Sequence, residues 1–594
     1  MRRALRPVML LATLAVAAVA FWPGGAVSVP SKTGNNVLDA SLAYTGGKAK
    51  GKAATAGRVS SAPLIAVGLN ASENEKKAGG GKVGKSARAK TLGCQNTFKS
   101  GGPGGGENTR VNQECSLRRQ AEEVIAINPT EDDNLIAGQN DSRLGFNHCG
   151  YDFSFDGGKT WGDQVPPFYQ FILPDGHTAD ACSDPTVTFD ADGNAYVGGI
   201  LFDIFGAASA FVVAKSNADL GGSFFHTPAA LSFQTSRDVP LGIVAADDDP
   251  SVFHDKEFLV ADATKTSPKK NNVYGTWTRF TNDNSPIYFS QSTDGGATWS
   301  AGIEISGSNA GACTVGSVAP NACDQDQGSH PIVGSDGTIY VAFGNGNTPL
   351  PGVNQVLFVK CLAAADCSLA ASWSAPVKVG DLIGTHPVGP SAAGCPAGRG
   401  CLPPNGYRVP EFTSISASVD ASNKLYVSWA DFRNGGAPCT GPAATAAPPC
   451  DNDVFYSYST SGGSSWSAAT KVSPAGSAQW QPWSKVTTDG KSLWIAYYDR
   501  SYGSCETSGC NDVTAVEVKN AATVAPTFKY TRVTTSSMPN LTPATNPVQA
   551  GFLGDYMWVD VDSEGRAHIV WADTRGKGDP ADPPEEDIYF ATVK

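Results

Sequence analysis

Charge is scarce in this chain. Only 17% of its 594 residues are Asp, Glu, Lys or Arg, and there are just 7 His and 4 Met. That composition excludes a coiled coil or other long-helix protein, which would be rich in Glu, Lys and Leu. So few His, and no Cys-x-x-Cys pair among 14 Cys, leave no ligand set for a zinc site. Long apolar runs are missing too. After Val8–Trp22 no segment approaches the ~20 residues that a bilayer span needs. What abounds is punctuation: 66 Gly and 39 Pro cut the chain into short pieces. With 41% hydrophobic residues, 12 Trp and 26 Phe among them, there is ample core, so wholesale disorder is excluded as well. A turn-rich, all-β protein is what these numbers leave.

The ends divide the chain into three. Arg2, Arg3 and Arg6 precede the apolar run and small residues follow it, so residues 1–28 read as a secretory signal peptide and the mature protein is expected to be secreted and extracellular. Residues 29–114 are rich in Gly, Ala and Lys, with 13 basic against 5 acidic residues, and read as a disordered, flexible basic linker. The remainder, 115–594, holds 28 basic and 51 acidic residues, a balance that gives no support to nucleic-acid binding. The Cys fall into local couples, 94/115, 149/182, 313/323, 361/367, 395/401, 439/450 and 505/510, as loop-stapling disulfides of an oxidising compartment would.

From about residue 116 the chain repeats itself. Ser154-Phe-Asp156-Gly-Gly158-Lys-Thr160-Trp161 returns as Ser292-Thr-Asp294-Gly-Gly296-Ala-Thr298-Trp299, and in worn form as Ser459–Trp466 and Ser216–Phe225. This is hairpin chemistry: Asp caps loop N–H groups, Gly takes positive φ, and Trp covers the apolar side. Other strands end in Asp and then Arg, as at Asp141/Arg143, Asp431/Arg433, Asp499/Arg500 and Asp573/Arg575, read mostly as ion pairs tying blades together. Unit openings near residues 122, 184, 249, 330, 414, 481 and 556 give seven four-stranded units of about 68 residues. The expected fold is a β-propeller of about seven blades, with six possible. Its last unit runs out after three strands, and an upstream strand within Thr109–Glu114 is expected to complete it.

These motifs resemble the Asp-box, or bacterial neuraminidase repeat, of sialidases and related secreted propellers. The resemblance spans nearly the whole body, including Gly551-Phe-Leu-Gly-Asp555-Tyr556 and the Trp571–Arg575 strand end. It implies arginines gripping a carboxylate by their planar forks, a Tyr nucleophile activated by a Glu, and an Asp acid/base. Tyr407-Arg408-Val409-Pro410 is the match to the family's first-arginine motif, though displaced to the fifth unit. Arg433, Arg500 and Arg575 are the further substrate-binding candidates. Tyr556 falls where the last-blade nucleophile would, with packing between blades as its competing role. Glu257 and Glu411 are available as its partner. Asp184 and Asp249 open inner strands and are the acid/base candidates, with turn capping as the alternative. No cofactor is implied. Structural Ca²⁺ at Asp247-Asp248-Asp249, Asp324/Asp326 or Asp451/Asp453 competes with turn capping. The resemblance implies a monomeric glycoside hydrolase of exo-α-sialidase type, acting on terminal acidic sugars of glycans or glycoproteins. The alternative is a non-catalytic propeller binding glycans or proteins at the cell surface.

Overall fold

Strands of four to ten residues dominate the computed structural model, and nearly all are buried on both faces. The structure describes residues 34–45, 59, 97–99, 106–114, 119–143 and 147–594, except for loop segments, chiefly 226–241, 384–400, 436–451, 542–551 and 577–584. Residues 1–28, read above as a signal peptide, lie outside the described residues.

Seven antiparallel meanders follow one another around a ring. Their inner strands are Gln120–Ile127, Ala181–Phe189, Val252–Ala261, Asp326–Val333, Ser416–Val419, Gln479–Val486 and Trp558–Val561. Each packs on the next, so a strand such as Leu425–Asp431 is covered on both sides and reads as an apolar run rather than an alternation. Blade 7 is built from both ends of the chain. Its own strands Trp558–Val561, Ala567–Gly576 and Glu585–Val593 are joined by Asn108–Arg110, which pairs Thr109 with Phe590 and Arg110 with Tyr589. Closure from upstream thus comes where the sequence placed it. The buried Arg110 guanidinium bonds Asp587 at 2.5 Å and fastens the seam.

Within the stretch read as linker, Asn36–Thr45 is a helix and Thr97–Phe98 a fifth strand on blade 7. Ordered structure therefore begins well before residue 115. The Gly/Lys-rich average of the stretch does not describe Asn36–Thr45, which holds neither residue and buries Val37 and Leu38.

The Asp-boxes are structural. In the first, Asp156 accepts from Thr160 N at 2.9 Å and Thr160 Oγ1 at 2.7 Å, Ser154 Oγ accepts from Gly158 N at 2.9 Å, and Trp161 Nε1 donates to Gly158 O at 3.1 Å. The same bonds recur at Ser292–Trp299. In the third box Ser461 takes over the Asp position and caps Ser465 N at 3.0 Å. All lie between third and fourth strands, on the face opposite the inner-strand starts. Each seals against the preceding blade: Trp161 meets Phe590 edge-on at 5.5 Å, and Trp466 meets Phe358 at 5.0 Å.

Four disulfides are described, Cys149–Cys182, Cys313–Cys323, Cys361–Cys367 and Cys505–Cys510, and all follow the local couples. The first ties the third strand of blade 1 to the inner strand of blade 2. The other three couples involve residues outside the described part. Among the described residues, no helix is long and apolar enough to cross a membrane.

Candidate functional site

Five of the seven inner strands share one irregularity. Register shifts by a bulge between Ala121 and Val124, Ser183 and Thr186, Asp255 and Phe258, Gln327 and His330, and Trp480 and Trp483. In each bulge one residue is left-handed: Glu122 (φ 59°), Asp184 (φ 52°), Lys256 (φ 56°), Gly328 (φ 68°) and Gln481 (φ 50°). Gly554 (φ 85°) holds the matching place before the last inner strand. Non-Gly residues adopt this region at a cost of about 1–3 kcal/mol, and such costs gather at functional sites. The bulge re-aims side chains from several strands to one point.

At that point sits a charged cluster. The Lys256 ammonium contacts Asp555 and lies 3.6 Å from Asp184. Asn140 donates to Glu122 and accepts from the Asp184 backbone N–H at 2.9 Å. Gln481 Nε2 donates to Gly554 O at 2.6 Å, and Ser414 Oγ to Asp555 O at 2.8 Å, so blades 5, 6 and 7 hold one another. Gly554 is obligatory here, because a Cβ would lie 2.6 Å from Glu122 N. Asp184, Lys256, Glu257, Asp555 and Tyr556 are all at most 1% exposed.

Burial and like charge set the protonation states. Glu122 is raised well above the usual carboxyl range by desolvation, then by Asp184 and Asp555, with Lys256 opposing. Desolvation and Asp184 raise Glu257 likewise. Desolvation works against the Lys256 charge, but Asp555, Asp184 and Glu122 outweigh it and hold the ammonium. Burial raises the Tyr556 phenol, reinforced by Asp184, Glu122, Glu257 and Asp555. Below the charges lies an aromatic floor: Trp483 stacks on Trp558 at 3.9 Å, His330 lies 4.7 Å from Trp483, and Phe258 meets Tyr556 at 5.3 Å. His330 accepts from Ala417 N at 2.8 Å, and burial lowers its pKa to about 3, so it is neutral.

The structure brings Tyr556, Asp184 and Glu257 into this one cluster. It sets Asp249 apart, in an exposed turn where it caps Ser251 N at 2.8 Å. Arg433 grips its own Asp431 through Nε, at 2.9 and 3.0 Å, and Nη2 reaches Asp381 O of blade 4 at 2.6 Å. Arg575 grips Asp573 at 3.0 and 3.1 Å and reaches Asn108 at 2.8 Å and Thr535 at 2.9 Å. These ion pairs therefore lie within a blade, not between blades as expected: two residues apart at a strand end, the Asp faces the Arg fork directly. Only the outer N–H groups reach across. Arg500 is buried, lies 5.1 Å over Trp480 and donates to Leu402 O at 3.1 Å. Leu402 belongs to a small hairpin, Cys401–Leu402 with Tyr407–Arg408, that carries Arg408. The side chain of Arg408, and Glu411, lie outside the described residues.

The acidic pairs are occupied by protein partners. Asp247 lies 3.3 Å from both His254 and Arg279, Asp324 accepts from Ser317 and Val318 N–H groups, and Asp453 takes Ser473 and Lys471. Among the described residues no group of three or more His, Cys, Asp or Glu is arranged to hold a metal ion.

Sequence reasoning missed Glu122, Lys256 and Asp555. Aligning the unit openings would have found the first two, since Glu122, Asp184, Lys256, Gly328 and Gln481 each stand two residues before the chain returns to register.

No family model and no curated protein matches this chain. Solved structures do. A protein of unknown function from Dyadobacter fermentans matches at TM-score 0.40 and 11% identity, over 82% of this chain and 98% of that one. A leech intramolecular trans-sialidase matches at 0.38 and 12%, over 85% and 70%. An α-L-arabinofuranosidase from Fusarium graminearum matches at 0.36 and 12%, over 71% and 96%. Likeness this low transfers no chemistry.

Proposed function

We propose that this chain is a secreted glycan-processing propeller, a retaining glycoside hydrolase acting on terminal acidic sugars. The observation that carries the reading is the convergence of Tyr556, Asp184 and Glu257, from three blades, on one desolvated cluster. Carboxyls with divergent environments, beside a phenol, are the parts of nucleophilic glycoside chemistry. In this reading Tyr556 attacks the anomeric carbon and its proton passes to Asp184, a carboxylate of the same cluster. Glu257, kept protonated by burial, donates to the leaving oxygen. Arg408 supplies the carboxylate grip, since Arg433 and Arg575 already hold carboxylates of their own.

One observation favours a second reading, a non-catalytic propeller that binds glycans or proteins on its surface. Every member of the cluster is buried, as a structural knot would be. Release of a fluorogenic leaving group from an α-sialoside separates the two. Turnover abolished by Tyr556→Phe and by Asp184→Asn, in protein that stays folded, is the result expected. No turnover from folded wild-type protein transfers the assignment to the binding propeller.

A further inference from the structure

The helix Asn36–Thr45 is seated on the propeller by specific contacts. Asn35 Nδ2 donates to Val252 O at 2.7 Å and to Ala207 O at 3.2 Å, while its Oδ1 caps Val37 N at 3.0 Å and Leu38 N at 3.2 Å. Asn36 N donates to Pro250 O at 2.5 Å. Val37, Leu38 and Val59 join the buried cluster of Phe202, Ile204 and Phe253. Gly34 (φ 95°) passes so close to the Phe205–Gly206 backbone that a Cβ would lie 3.0 Å from it.

This seat lies on the functional side of the ring. Ala207 belongs to the loop between second and third strands of blade 2, and Val252 begins the inner strand of blade 3. Both are at the face where inner strands start. Four and five residues along from Val252 stand Lys256 and Glu257, in the bulge that builds the cluster, and Asp184 occupies the neighbouring inner strand. A segment that pins Pro250 and Val252 therefore restrains the strand that carries two cluster members.

We infer that residues 34–45 form an intramolecular strap that clamps blades 2 and 3 together at their inner-strand starts and keeps the central cluster sealed, so that its release is a step of activation. The inference rests on the reading of that cluster as the reaction centre. The chain offers a means of release: residues 46–96, between strap and first propeller strand, contain ten Lys or Arg. These are the residues after which a trypsin-type protease cuts.

The test uses the full chain with a site-specific protease sequence inserted between Gly46 and Gly47. It is cut, and the strap fragment is removed by gel filtration. Hydrogen exchange of the amides in Ala181–Phe189 and Val252–Ala261 is expected to quicken about tenfold or more. A synthetic peptide of residues 33–45 restores protection, and the same peptide carrying Leu38→Asp does not. Unchanged exchange after removal overturns the strap, as does equal rescue by both peptides. Turnover of the α-sialoside is read in parallel. Faster exchange with turnover raised by strap removal sustains both readings. Faster exchange with no turnover in either form sustains the strap and removes the hydrolase. Turnover with unchanged exchange removes the strap alone.

Discussion

Lys256→Met tests whether the centre of the ring is held by one cation. The ammonium is 1% exposed, contacts Asp555 and lies 3.6 Å from Asp184, with Glu122 in the same cluster. Methionine keeps the length and removes the charge, leaving those carboxyls buried without a counter-ion. Breaking a buried pair by removing one partner costs about 3–5 kcal/mol. That is a large share of the ~5–15 kcal/mol by which folded domains are stable. The sign with pH follows from linkage. Burial lowers the Lys256 pKa, but the carboxylates more than offset this, and its folded value lies above the unfolded one. Its stabilisation is therefore fully present below about pH 10.4 and is lost only as pH rises through the higher folded value. In the variant, the orphaned carboxyls must take up protons to stay buried, so its deficit shrinks from pH 8 to pH 5. Equilibrium urea unfolding followed by Trp fluorescence, at both pH values, measures this. Lys256→Met with Asp555→Asn should recover a good part of the loss. A deficit under about 1 kcal/mol at pH 8, or an equal deficit at pH 5, would refute the argument.

Three further outcomes are expected. Glu257→Gln stabilises the protein at neutral pH, since desolvation raises this carboxyl and the folded state holds a proton that the unfolded state releases above about pH 4.5; the gain grows as pH rises from there towards the folded pKa, and a gain that falls over that range contradicts it. Gly463→Ala, at φ 81° with a Cβ 2.4 Å from the Phe358 ring, should cost about 2–4 kcal/mol. Gly476→Ala, which meets nothing within 4 Å, should fall within about 0.5–1 kcal/mol of wild type in the same unfolding assay.

The repeat, the strand openings, the Asp-box turns and the upstream closing strand were legible in the sequence. Each is decided over a few residues: a Ser and Asp two apart cap their own loop, and a Gly follows where φ must be positive. Three disulfide couples, 10, 6 and 5 residues apart, were legible for the same reason, because short loops leave few partners within reach; Cys149 and Cys182, 33 apart, are joined by the packing of blade 1 on blade 2. The cluster was not legible. Glu122, Asp184, Lys256 and Asp555 are brought together by a ring closed between residues 108 and 593, and the left-handed backbone of Glu122 and Lys256 belongs to residue types that do not ordinarily signal it. Tyr556 and Asp184 could be named as candidates from their places in the repeat. That they share a desolvated centre with a lysine, while Asp249 caps a turn and Arg433 and Arg575 close on their own aspartates, was decided by tertiary structure. The helix at Asn36–Thr45 was decided there too. Its ten residues hold no Gly or Lys, unlike the stretch around them, and it is ordered because blades 2 and 3 offer Val37 and Leu38 an apolar seat. Sequence determines what neighbouring residues do to one another. Which distant charges must share one dry space is settled by chain closure.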